Sequence, residues 1–266
     1  MRTVVEGDAV YYGTGSGVPA DDAPAIVFVH GAGFDHSVWV MPARYFARHG
    51  YRVVALDLPG HGRSEGAART NIESMASWVA DLLDTLNIEK AAVVGHSMGS
   101  LVVMTLAAQH HERVQSLALL GTSAPMRVTN LLLDAASDNH HAAIDMANSW
   151  SHSVGGTRGT SETPGMSILN GGERLLERAA DGVFHADLAA CNEFSAQNLA
   201  AIAAPALVIA GDADKMTPSK AGLAVAEQLQ DVRTCMLPGC GHAMLSEQPN
   251  AVLDALAAFI LNEPDR

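Results

Sequence analysis

The run Gly95-His96-Ser97-Met98-Gly99 constrains this chain more than any other five residues in it. Before it, residues 91–94 (Ala-Ala-Val-Val) have the length and apolar content of a strand buried on both faces, and after it residues 101–108 continue as an apolar helix. The chain must turn sharply between the two. A side chain on so tight a corner is held at a strained backbone angle, and a β-carbon two residues away on either side would obstruct the turn. Gly95 and Gly99 therefore read as steric requirements, with Ser97 at the apex. Such a corner aims a serine hydroxyl into a cleft and leaves the N–H of Met98 at a helix N-terminus, where negative charge is favoured. A Gly-x-Ser-x-Gly pattern is common by chance. The strand before it and the helix after it are what make this one a candidate nucleophile elbow.

The flanking sequence repeats the same strand-to-helix rhythm. Residues 3–5 and 9–12 read as a hairpin on a sheet edge, and residues 25–29, 51–56, 91–94 and 116–120 as buried strands. Helical spacing occupies residues 38–48 and again Ile72, Met75, Val79, Leu82, Leu83 and Leu86, the latter opened by a capping box of Thr70 and Glu73. Strands alternating with helices at this spacing predict right-handed crossovers and a mostly parallel, doubly wound α/β sheet. The alternation stops near Thr122 and resumes at residues 206–210. Between them lie two helix-like segments, 131–150 and 174–194, around the Gly-, Ser- and Thr-rich stretch 153–165. That organisation predicts a helical lid, residues 127–198, inserted after the sixth strand of a core built from residues 1–126 and 199–266. A helix with Pro218 at its first position, a strand at 233–237 and a last helix opened by Pro249, with Val252, Leu256, Phe259 and Ile260 as its apolar stripe, complete the pattern.

Composition narrows the partners. Of 266 residues 48% are hydrophobic, enough for a large core, and the formal net charge of −13 argues against a nucleic acid or an anionic membrane surface. Acids near the N-terminus leave no room for a signal peptide, and no run reaches the roughly 18 apolar residues of a membrane span. Three cysteines without paired spacing, Cys191, Cys235 and Cys240, read as reduced thiols, so a cytoplasmic location is expected.

Ligands on open parallel sheets bind beyond the carboxyl ends of the strands. Four marked segments follow such ends: His30-Gly-Ala-Gly, Ser97, Asp212 or Asp214, and His242. A serine hydroxyl needs an imidazole to take its proton, and the imidazole needs a carboxylate to hold its tautomer; serine, aspartate and histidine occur here in that order. The N–H groups of Ala32 and Met98 are placed to stabilise the oxyanion of a tetrahedral intermediate.

These residues, with Asp57-Leu-Pro-Gly-His-Gly-Arg-Ser64, Gly211-x-x-Asp214-x-x-x-Pro218 and Gly-Cys-Gly-His242, resemble the α/β-hydrolase fold superfamily, and in particular its lid-bearing, esterase-like members. The resemblance covers nearly the whole chain outside the lid. It implies Ser97 as nucleophile, His242 as base and Asp214 as the acid, since the family's acid stands three residues after the glycine of that fourth motif; Asp212 is left to cap a turn. A serine at position 97 disfavours dehalogenase and epoxide hydrolase chemistry, whose enzymes carry aspartate there.

His30 and His96 are expected to brace loops, and His61 lies in a turn. The pairs His110-His111 and His140-His141 suggest no metal, because adjacent histidines on a helix diverge by about 100° and no carboxylate stands at ligand spacing. No metal or cofactor is expected. Trp39, Met126, Met146, Trp150, Met216 and Met244, with Phe184 and Phe194, are candidates for a substrate pocket and equally fit a plain core. The sequence thus points to a serine hydrolase cleaving small, uncharged carboxylic esters or thioesters through an acyl-enzyme. A carbon–carbon bond hydrolase or lyase using the same triad, and a non-catalytic small-molecule receptor, are the alternatives.

Overall fold

The computed structural model describes residues 1–261 apart from 18, 19, 21, 139, 140, 160, 161, 163–166 and 197. His140 and part of the 153–165 stretch therefore lie outside the described residues. Among the described residues, eight strands form one sheet in the order β1-β2-β4-β3-β5-β6-β7-β8. They are β1 (Arg2–Val5), β2 (Asp8–Gly13), β3 (Ala25–Val29), β4 (Arg52–Leu56), β5 (Ala91–His96), β6 (Val114–Leu120), β7 (Ala206–Gly211) and β8 (Val232–Leu237). β1 and β2 pair antiparallel, as does β2 with β4, and the other neighbours run parallel. The β1–β2 turn is made by Glu6 and Gly7, both at positive φ, the geometry that matches the twist of a two-residue hairpin.

Helices cover both faces. α1 (Val40–Arg48) and α11 (Pro249–Ile260) pack on one, and α2 (Ile72–Thr85), α3 (Met98–Gln109) and α9 (Ser219–Ala226) on the other. The side-chain alternation of the strands separates the two layers: Val27, Val29 and Val93 join α2 and α3, whereas Ile26, Phe28, Ala92 and Val94 join Trp39, Phe46 and Leu256. Phe28 is fully buried against Trp39 and Phe46. Phe28→Ala should cost about 3–5 kcal/mol of unfolding free energy in urea titrations; a loss within about 0.5 kcal/mol, the range of surface substitutions, would contradict this packing.

Local details depart from the sequence reading. α2 is capped by Asn71, not Thr70: its side chain accepts the Ser74 N–H and its backbone is extended, and asparagine caps at least as well as threonine. Pro218 stands one residue before α9, as its N-cap. Between β6 and β7, five α-helices lie among the described residues where two segments were expected: α4 (Asn130–Ser137), α5 (His141–Ser151), α6 (Val154–Thr157), α7 (Ile168–Glu177) and α8 (Val183–Glu193). The second segment breaks at Gly182, which takes a left-handed conformation before α8. Leu132, Ala136, Ala143, Ala147, Leu176, Phe184 and Leu188 give these helices a small core of their own, against which Ala32 and Phe34 from the end of β3 pack. A one-turn helix not foreseen, α10 (Met244–Glu247), follows β8.

Candidate active site

Ser97 sits between β5 and α3 at φ 53°, ψ −121°, a strained backbone for a residue with a β-carbon. The glycines around it permit that corner. A β-carbon on Gly95 would lie 2.1 Å from the Gly99 carbonyl oxygen, and one on Gly99 2.2 Å from that of Val29. The corner is further held by the Ser97 N–H donating to Leu120 O at 2.9 Å and by the Ser100 hydroxyl bonded to Ser97 O at 2.6 Å.

His242 arrives on the loop after β8. Its Nε2 is 2.9 Å from Ser97 Oγ and its Nδ1 2.8 Å from Asp214 Oδ2. Asp214, on the loop after β7, accepts the N–H groups of Met216 and Thr217 on Oδ1 and the Thr217 hydroxyl on Oδ2. Burial works against its charge, but His242 and the Thr217 bonds outweigh it and hold the carboxyl below its ordinary value. Asp212 is exposed and accepts the Gly239 N–H at 2.6 Å, which steadies the turn ahead of His242. The geometry therefore brings Ser97, His242 and Asp214 together and leaves Asp212 outside.

His96 is fully buried 4.9 Å from the His242 ring and its Nε2–H donates to His242 O. Burial, then the neighbouring His242, lowers its pKa to about 3, so it braces the loop as a neutral ring and adds no competing charge. His30 is likewise neutral: Nδ1 donates to Gly31 O and Nε2 accepts the Leu58 N–H. Ala32 lines the cleft, and Met98 begins α3, where a helix leaves its first N–H groups without an intrahelical acceptor.

The cleft above Ser97 has a volume of about 150 Å³. Met126, Trp150, Phe184 and Met216 line it, as the sequence suggested, joined by Phe34, Leu132 and Leu188. Four other candidates lie elsewhere. Trp39 and Met244 are fully buried on the opposite face of the sheet, because an apolar side chain's identity does not say which face it takes. Met146 packs among the helices between β6 and β7, and Phe194 borders a separate cavity with Met104 and Thr105. Arg127 and Lys215, both exposed, reach the rim of the cleft, whereas Arg158, which caps the end of α6, and Arg174 on α7 are exposed and do not line it. Cys191 also lines the cleft; burial, then the charge of Asp187, pushes its thiol far above the ordinary range, so it stays protonated and does not compete as a nucleophile.

Thr217 escaped the sequence reading, although an aspartate followed three residues later by a threonine is a side-chain-to-backbone turn signal that could have found it. Glu247 had no such signal. It is buried and takes the Ser153 N–H and hydroxyl, tying the start of α6 to the loop that carries His242. His141 also has carboxylates near it after all: Asp145 four residues on, and Glu173 and Glu177 across from it, at 3.5–3.8 Å. The group is on the surface, and Glu177 pairs with Arg174.

The model of the alpha/beta hydrolase fold family matches residues 24–166 of this chain. The chain belongs to that family and is a hydrolytic enzyme of it. Among curated proteins it is 29% identical to 3-oxoadipate enol-lactonase 1 of Acinetobacter baylyi, over 90% of each chain. It is 25% identical to (E)-2-((N-methylformamido)methylene)succinate hydrolase of the same organism, over 96% of this chain and 95% of the other. Among solved structures, the enol-lactonase from Burkholderia xenovorans LB400 superposes with a TM-score of 0.87, covering 98% of this chain and all of that one at 24% identity. A thermophilic esterase from Thermogutta terrifontis gives 0.84 over 99% of each chain at 19% identity. At those identities the two structures speak for the fold. Among the described residues, no helix is long and apolar enough to cross a membrane.

Proposed function

We propose that this protein is a serine hydrolase of small carboxylic esters or thioesters. Ser97 Oγ attacks the acyl carbon while His242 Nε2 takes its proton, and Asp214 holds His242 with Nδ1 protonated and stabilises the imidazolium that forms. The N–H groups of Ala32 and Met98 receive the developing oxyanion. His242 then passes the proton to the departing alcohol or thiol, leaving an acyl-serine, and a water activated by the same imidazole releases the acid. The observation that carries this reading is the unbroken series Ser97 Oγ to His242 Nε2 at 2.9 Å and His242 Nδ1 to Asp214 Oδ2 at 2.8 Å.

Residues 127–198 act as a lid, with α4, α5, α7 and α8 closing the cleft over Ser97. The lining is mostly apolar side chains, which favours an uncharged acyl group, and the related enol-lactonase acts on an ester closed into a ring, so lactones fall within the same class. The protein acts in the cytoplasm on a small-molecule substrate. The test is a panel of p-nitrophenyl esters graded by acyl length, alongside acyl-thioesters, lactones and a vinylogous diketone. Short uncharged esters should be cleaved with no rate jump as the substrate passes its solubility limit, because the described residues present no wide exposed apolar face of the kind an interfacial lipase needs. A preference for carboxylate-bearing substrates or a sharp interfacial activation would contradict the uncharged small-ester assignment. Cleavage of the diketone alone would move the enzyme to carbon–carbon bond hydrolysis.

A further inference from the structure

His61 and Asp187 lie beside the site, on parts of the chain 126 residues apart, and both are almost completely buried. His61 Nδ1 is 3.0 Å from Pro59 O and its Nε2 2.8 Å from Asp187 Oδ2. A peptide carbonyl and a carboxylate both only accept, so both ring nitrogens must donate, which makes His61 an imidazolium. Its neighbour His30, with ring centroids 4.8 Å away, has the opposite pattern of one donor and one acceptor and is neutral. The electrostatics agree. Burial disfavours a charge on His61, yet the charge and hydrogen bond of Asp187, the Pro59 carbonyl and Asp57 together raise its pKa above the ordinary 6.5. Burial and then the charge on His61 lower that of His30 to about 4.

Asp187 Oδ2 has a second donor, the backbone N–H of Gly33 at 2.8 Å. Gly33 directly follows Ala32 and has φ +68°, and a β-carbon there would lie 2.9 Å from both Leu176 and Phe184. One carboxylate on α8 thus joins three things: α8 itself, the loop 57–64 through His61, and the glycine loop after β3. We propose that the Asp187–His61 pair is a pH-sensitive clamp, with Asp187 as a positioning residue that holds the glycine loop so that the Ala32 N–H meets the oxyanion. This rests on the reading of Ala32 as an oxyanion donor.

The sign of the pH dependence follows from the groups that face the pair. These are His30 after β3, Asp57 after β4, and Cys191 on α8. Asp57 is already occupied by the His36 N–H, His36 Nδ1 and the Arg63 N–H. Asp187 Oδ1 has no hydrogen-bond partner among the described residues, so His61 is the cation that compensates this buried carboxylate. A group with a raised folded pKa contributes stability that is complete below its unfolded value and is lost as pH rises through the folded one. Above that point the clamp loosens, and turnover falls on the alkaline side.

The experiment measures kcat and KM for p-nitrophenyl acetate from neutral to alkaline pH in wild type, Asp187→Ala and Asp187→Asn, and follows the His61 ring nitrogens by NMR. Wild-type His61 should carry both protons at neutral pH. Asp187→Ala frees the glycine loop and should lower kcat by about 10²-fold, the order of losing one oxyanion donor, with KM nearly unchanged. Asp187→Asn, with its amide oxygen where Oδ2 lies, can still accept both the Gly33 N–H and the Nε2–H of a neutral His61, but no longer supplies the charge that keeps the ring an imidazolium. It should lower kcat less, lose the alkaline fall and leave His61 singly protonated at neutral pH. A neutral His61 in the wild type, or an Asp187→Asn profile identical to wild type, would overturn the clamp; if Asp187→Ala does not fold, the asparagine variant and the NMR readout decide alone. Full activity in Ser97→Ala would sink the triad instead, without altering the protonation of His61, so the two failures are distinguishable.

Discussion

Ser97→Ala lowers kcat by about 10⁶-fold on this account, and His242→Ala by the same order, because nucleophile and base act as a unit and removing either removes the whole of their joint contribution. Substrate binding should survive in both, since the cleft walls come from Phe34, Leu132, Phe184 and their neighbours and not from the triad. The corner itself should persist in Ser97→Ala: alanine keeps the β-carbon, Gly95 and Gly99 are untouched, and the Ser97 N–H bond to Leu120 O is backbone. Steady-state kinetics on folded protein decide the matter. A variant that keeps more than a few per cent of wild-type kcat would remove that residue from the mechanism.

Asp214→Asn should cost less, on the order of 10⁴-fold in kcat, because the carboxylate orients and stabilises His242 without taking the proton. The buried asparagine would still accept N–H bonds from Met216 and Thr217, but its amide would face Nδ1 with a donor and favour the wrong tautomer of His242. Asp212→Asn is the control. Its exposed side chain holds the Gly239 turn through one bond that an asparagine oxygen can also accept, so the effect on turnover should be mild. If the ranking came out inverted, the acid of the triad would be Asp212 and the geometry described for Asp214 would be irrelevant to catalysis.

How far the sequence carried depended on whether the signal was local. The buried strands were legible because each is a continuous apolar run between turn residues, and the elbow because its serine stands between two glycines at the junction of such a strand and an apolar helix, although only Gly95 is demanded by a contact within the motif and Gly99 by the end of β3. The cap of α2 was displaced by one residue because Thr70 and Asn71 are both good caps and only tertiary packing decides between them. The helices between β6 and β7 are short, and they bury their apolar stripes mainly against one another, so two long segments looked adequate where five pieces form. Trp39 and Met244 were assigned to the pocket on composition alone; period-two alternation in the strands sorts the sheet faces, but a side chain on the 3-10 helix His36–Trp39 or on the one-turn α10 carries no such label. Asp187 had no local signal at all, since its meaning comes from a histidine 126 residues earlier.

The central claim is that Ser97, activated by His242, forms a covalent acyl-enzyme. Its most direct test is exposure of the folded protein to a fluorophosphonate probe, followed by peptide mapping of the adduct. The account predicts one adduct per chain on the peptide containing Ser97, abolished in Ser97→Ala and strongly slowed in His242→Ala. Absence of labelling at Ser97 in the wild type, or labelling that persists in Ser97→Ala, would contradict it.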